Sequence, residues 1–281
     1  MFGSAPIKKF VVCCFWENAI FVIEWRILDG KIAINQCKSE LFIQCLTVLE
    51  KMLFEASKKV FSIPLYLKTR SDLTESQLES VVKRWIIMSA ITSRYSGFSE
   101  TRSEADIKLF MSSDNAIAVA DQETARQLSN DFWNVLLPQK FVSSSTAANV
   151  WRVFLMTQVH DGDSAWLEKD HRIESLISEQ GNIHHIFPRA YLKQHGFSQT
   201  QFNQIANYTW LTQPRNLQIS NQTPKDYLNN PEVTEFASEQ SFEVNAIPKE
   251  LVNYDYSNYN DFLSQRRVLM ASKVKRYYQQ L

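Results

Sequence analysis

The stretch Asn182-Ile183-His184-His185-Ile186-Phe187-Pro188-Arg189 decides how the rest of the chain is read. Its two adjacent histidines are flanked by isoleucines, which suit an extended segment. In a strand, neighbouring side chains point to opposite faces, so His184 and His185 present their imidazoles in different directions. That suits two separate tasks, one at a metal ion and one at a water molecule, better than a shared ligand role. Three of the chain's five histidines lie between residues 184 and 195. Downstream, Ile205-Ala206-Asn207-Tyr208-Thr209-Trp210-Leu211-Thr212 has the β-branched and aromatic content of a second strand. Gln213-Pro214-Arg215 then turns into Asn216, with Ser220-Asn221 and Pro224 following. Taken singly, each feature has a plain structural use: a core histidine beside an exposed one, and asparagines as turn formers and caps.

The order and spacing carry more than the parts. His184-His185-Ile186-x-Pro188, then Asn207, then Asn216 nine positions later, resembles the HNH (His-Me finger) nuclease motif. In that family a strand ends in Asp/His-His-Ile-x-Pro, a long loop follows, a second strand begins with Asn, and a helix supplies a final Asn or His. The resemblance implies a mainly α chain, with a helical domain and a small ββα-metal module embedded in helices. It implies a metal-dependent DNA endonuclease with His185 as general base and Asn207 bracing the loop that aims it. His184 and Asn216 would hold one divalent cation, Mg2+ or Mn2+. An ordinary imidazole, with a pKa of about 6.5, is substantially unprotonated at neutral pH. Two neutral protein ligands make a weak, open site that waters and substrate phosphate oxygens must complete.

Arg189 and Arg215 sit beside the two ends of this loop. With Lys193 and Lys225, against Asp226 alone, they give residues 184–228 a net charge of +3. Arg189, Arg215 and Lys225 are therefore the expected DNA contacts, and binding through them weakens as salt rises. A second basic cluster, Arg266, Arg267, Lys273, Lys275 and Arg276, has no carboxylate within residues 265–281. It reads as a phosphate-neutralising surface or as a solvated helix face. His195 reads as a surface loop residue, and His160 and His171, with Asp161 and Asp163 nearby, fit no established metal-ligand spacing.

Further segments resemble GmrSD-type restriction endonucleases: Lys83-Arg84-Trp85 through Ser89, Ser93-Arg94-Tyr95-Ser96-Gly97, Ser99-Glu100-Thr101, and a close running from Ile247-Pro248 to Arg266-Arg267. That implies a role in restriction or phage defence in the cytoplasm. Two departures stand out. Many HNH nucleases carry a Lys shortly after the last Asn, where this chain has Gln218 and Ile219. The chain also lacks the Asp-Gly-Gln-Gln-Arg motif of a nucleotide-sensing domain, so a separate sensing subunit or a missing N-terminal domain is an expected partner. These departures motivate an alternative: a catalytically inactive DNA-binding or regulatory subunit that keeps the fold. A third reading is a helical interaction domain whose histidine pair is structural.

Composition bounds all three. The 281 residues are 44% hydrophobic and 21% charged, with thirty basic and thirty acidic side chains. Such a chain buries a core, and its neutral balance confines nucleic-acid binding to local patches. Cys13, Cys14, Cys37 and Cys45 show no CxxC spacing and read as small buried hydrophobes in a reducing compartment. Lys8-Lys9 followed by Phe10 to Trp16 is cut short by Glu17 and Asn18, and Glu24 and Arg26 interrupt any membrane span. No membrane partner is expected.

Residues 21–27 alternate partly like a strand but equally fit a buried helix. Phe42, Leu46, Leu49, Leu53, Ala56 and Val60 share a helical face. Thr74 with Gln77 forms a capping box for a helix that Arg94-Tyr95-Ser96-Gly97 ends, and a third helix is expected from about Ile117 to Leu136. Ser143-Ser144-Ser145-Thr146 marks the expected boundary between domains 1–145 and 146–281, with its last members capping the helix around Val150.

Overall fold

The computed structural model describes residues 9–16, 19–28, 31–34, 62–67, 69–97, 99–179 and 183–281. The fold is mainly helical. Two compact units form, Met1–Ile86 with Arg94–Gln122 and Ile87–Ser93 with Glu123–Leu281. In the first, β1 (Lys9–Trp16), β2 (Ala19–Leu28) and β3 (Lys31–Ile34) make an antiparallel meander, so the ambiguous start of the chain is strand. The helical face from Phe42 to Val60 lies outside the described residues.

The expected capping box is formed. Gln77 Oε1 accepts from the Thr74 amide at 2.9 Å, Thr74 Oγ1 accepts from the Gln77 amide at 3.3 Å, and helix Glu75–Thr92 follows. The Arg94-Tyr95 pair is a buried polar hub. Arg94 forks onto both oxygens of Asp106 at 2.8 and 2.6 Å, the Tyr95 hydroxyl donates to Asp106 at 2.9 Å, and the Trp85 indole donates to Tyr95. Charged groups survive burial when paired in this way.

The expected third helix is broken. Ala116–Gln127 is α-helical, Phe132–Leu136 winds as a π-helix, and Leu137–Lys140 continues with Pro138 in its first turn. Proline is tolerated there because the first-turn amide needs no intrahelical partner. Residues 123–145, which the sequence assigned to the first domain, belong to the second unit. The serine cluster is tied to later strands instead of linking domains. The Ile205 amide donates to the Ser143 carbonyl at 2.8 Å and the Tyr208 hydroxyl to the Ser144 carbonyl at 3.1 Å. The cluster's capping role is also different from expectation. Helix Asn149–His160 starts after Ala148 with no side-chain cap, and the Ser143 and Ser145 hydroxyls accept from the amides of Ser145 and Ala147 within their own turn.

Helix Asn149–His160 is the core of the second unit, with eight of the nine residues from Val150 to Gln158 buried, all but Arg152. Packing against it is helix Tyr259–Gln280, which buries Tyr259, Phe262, Leu263, Met270 and Val274. Two of this helix's cations are buried, contrary to either surface reading. Arg266, 1% exposed, donates to the carbonyls of Ala206 at 2.9 Å and Tyr208 at 2.7 Å. Lys273, 4% exposed, pairs with Asp163 at 2.7 Å and Asp161 at 2.9 Å. Among the described residues no helix is long and apolar enough to cross a membrane.

Candidate functional site

The two histidines end strand β4 (Ile183–His185), which pairs antiparallel with β5 (Tyr208–Trp210); His184 lies opposite Thr209 and His185 opposite Tyr208. Asn207 closes a short 3-10 turn, Ile205–Asn207, just ahead of β5. After β5 the chain reaches Thr212, whose hydroxyl accepts from the Arg215 amide and caps helix Gln213–Ile219. The expected turn at 213–215 is thus the first turn of a helix. Asn216, next along this helix, lines one cleft with His184. The helix ends on Ser220 at φ 49°, a backbone conformation that costs a non-glycine residue about 1–3 kcal/mol.

The two imidazoles differ in burial and partners although both line one cleft. His184 is half-buried, and burial holds its pKa below the usual value while the Asn216 contact opposes that shift. His185 is pushed down to about 4, chiefly by burial, with the Asn203 contact opposing and the Arg189 charge assisting. Its ring stands edge-on to Tyr208 at 5.1 Å, and its Nε2 meets Asn203 Oδ1 at 3.0 Å. His185 is therefore neutral at pH 7.

Asn207 is fully buried and makes three hydrogen bonds. Its Oδ1 accepts from the Phe187 amide at 2.8 Å, and its Nδ2 donates to the carbonyls of Phe187 and Phe202 at 3.1 Å each. The two ends of the β4–β5 loop are thereby stitched together. On the flanks, the Ile186 amide donates to the Asn207 carbonyl, the Tyr227 hydroxyl to the Ile186 carbonyl, and Arg266 to the carbonyls before and after Asn207.

His184, His185 and Asn216 line one open cleft of ≈ 650 Å³, together with Arg189 and Lys193. Both cations are exposed and lie on the Arg189–Gln194 helix at the cleft wall, where they can donate to an anionic ligand. Arg215 is not among the lining residues. It is 8% exposed, donates to Gln218 Oε1 at 2.7 Å and to the Glu232 carbonyl at 3.3 Å, and stacks 3.9 Å over Phe236. Lys225 is exposed but also lies outside the lining. His195 is an exposed residue, as expected, stacked on Tyr256 at 4.0 Å.

His160 and His171 stay apart from any ligand set. Asp161 and Asp163 are engaged by Lys273, and His171 sits 3.6 Å from Glu168. Among the described residues no group of three or more His, Cys, Asp or Glu is placed to hold a metal.

Two contributors went unread in the sequence, Asn203 and Glu168, which accepts from the Thr212 hydroxyl at 2.7 Å, and a third, Arg266, was read only as a surface cation. Of these only Asn203 had a local signal, because Ser198 and Gln201 form a capping box for the turn it ends. The chain matches no protein-family model, no curated protein and no solved structure.

Proposed function

We propose that the chain is a metal-dependent endonuclease of the HNH (His-Me finger) type that hydrolyses phosphodiester bonds in DNA. In this reading β4, β5 and helix Gln213–Ile219 are its ββα-metal module. The observation that carries it is the placement of His184, Asn216 and a neutral His185 on the wall of one cleft.

The donor pair fits a divalent cation. One imidazole nitrogen and one amide oxygen leave most of the shell to water and phosphate. When bound, Mg2+ or Mn2+ supplies charge relief at the scissile phosphate and for the departing oxygen. The protein's own part is proton transfer and alignment. His185 takes a proton from the attacking water as the new oxygen–phosphorus bond forms and the bond to the leaving sugar oxygen breaks. Arg189 and Lys193 neutralise the neighbouring backbone phosphates. Asn207 stays in the interior, where its three bonds keep the loop that aims His185 from opening. The GmrSD-like segments outside the module support a role in restriction or phage defence, with a nucleotide-sensing subunit or domain as partner.

The test is plasmid cleavage by purified protein with Mg2+ or Mn2+. His185→Ala is expected to slow it by about 10²–10⁴-fold, and EDTA to abolish it. Equal cutting by both proteins, or cutting indifferent to EDTA, would remove the basis of the proposal.

A further inference from the structure

We propose that Asn203 is a positioning residue for His185, fixing which of its two ring nitrogens carries the proton. The inference rests on the nuclease reading above and adds to it a residue outside the His-His…Asn…Asn motif. A neutral imidazole has one donor nitrogen and one acceptor nitrogen, and a partner on either decides both. His185 Nε2 lies 3.0 Å from Asn203 Oδ1, an acceptor oxygen. The proton is then on Nε2, and Nδ1 keeps the lone pair a general base needs. The other close neighbour, the Tyr208 ring, meets the imidazole edge-on and restricts its tilt without distinguishing the nitrogens. Among the described residues, Asn203 makes the one side-chain hydrogen bond to His185.

Asn203 is itself held in place independently of the histidine. It ends the short turn Gln199–Phe202, where its amide donates to the Gln199 carbonyl at 3.0 Å and the Ser198 and Gln201 capping box secures the other end. The carbonyls just before it are tied down as well, that of Gln201 by the Tyr259 hydroxyl at 3.0 Å and that of Phe202 by Asn207 at 3.1 Å. A pre-set amide oxygen thus meets the imidazole at no cost in local ordering. Asn207 and Asn203 act on the same histidine by different routes. Asn207 closes the loop, and Asn203 selects the tautomer.

The experiment combines 15N NMR of histidine-labelled protein in EDTA with single-turnover cleavage of a duplex oligonucleotide in Mg2+. In the wild type the His185 resonances should report Nε2–H and a bare Nδ1. Asn203→Ala should give averaged tautomers and lower kcat by about 10–100-fold with KM little changed. Asn203→Asp, which keeps an acceptor but cannot donate, should restore Nε2–H and most of the rate. A wild-type proton on Nδ1 overturns the inference, as does an unchanged kcat in Asn203→Ala, and so does failure of Asn203→Asp to hold Nε2–H. Wild-type protein that shows Nε2–H but cuts no DNA with either metal overturns the nuclease reading itself, and the inference with it.

Discussion

Replacing Asn207 by Ala tests whether the loop between the two strands is held by one side chain. Asn207 and Phe187 are both 0% exposed. Truncation strands the Phe187 amide and the Phe187 carbonyl, whose bonds to the Asn207 side chain measure 2.8 and 3.1 Å. The Phe202 carbonyl is less affected, because the Tyr259 hydroxyl also points to it at 3.5 Å. A buried polar group left without its partner costs about 1–3 kcal/mol, so two such groups set the expected loss at about 2–6 kcal/mol. The assay is native-state hydrogen exchange with urea unfolding as a second reading. At 1.4 kcal/mol per factor of ten, protection of the Phe187 amide should fall by about 30- to 20,000-fold. The urea midpoint should drop in parallel, and plasmid cleavage should be lost although Asn207 never reaches the cleft. Unchanged exchange at Phe187, with a stability loss below about 1 kcal/mol, would show that the loop is held by other contacts and refute the reasoning.

Two further substitutions test buried charge. His185 titrates near 4 in the folded chain against about 6.5 unfolded, so the unfolded state binds the extra proton between those values. Stability is full above about pH 6.5 and declines as pH falls toward 4, by up to about 3 kcal/mol. In EDTA, His185→Gln should flatten this slope in urea melts between pH 4 and 7, and parallel slopes would contradict the burial argument. Lys273→Met removes the ammonium between Asp163 and Asp161 and should cost about 3–5 kcal/mol at pH 8. Burial already raises Asp163 to about 6, so protonation relieves the stranded carboxylate and the loss should be smaller at pH 5. Equal losses at the two pH values would argue against it.

What the sequence disclosed follows the range of the interactions involved. The capping box at Thr74 and Gln77, the helix stop before Gly97 and the strand character of Tyr208–Trp210 are all local, and local propensity reports them. The serine cluster was misread because its polarity suggested a linker, whereas its carbonyls serve residues 205 and 208, some sixty positions away. The basic C-terminal helix misled for the same reason. Charge counting cannot distinguish a solvated arginine from Arg266, whose guanidinium lies among carbonyl oxygens far along the chain.

At the site the same rule explains the fate of Arg215. Its position beside Asn216 suggested a phosphate contact, yet it acts behind the helix. The guanidinium joins Gln218 and the Glu232 carbonyl, lies over Phe236, and sits 3.8 Å from Glu168, which also binds the hydroxyl of the capping Thr212. Gln218 stands where the HNH motif that the sequence resembles often carries a lysine. Here its amide oxygen helps lock the short helix that presents Asn216, so this neighbourhood supplies rigidity instead of a cation. A seven-residue helix has little stability of its own. Holding Asn216 on the cleft wall therefore depends on contacts from Glu168, Gln218 and Phe236, which the spacing of histidines and asparagines alone does not reveal.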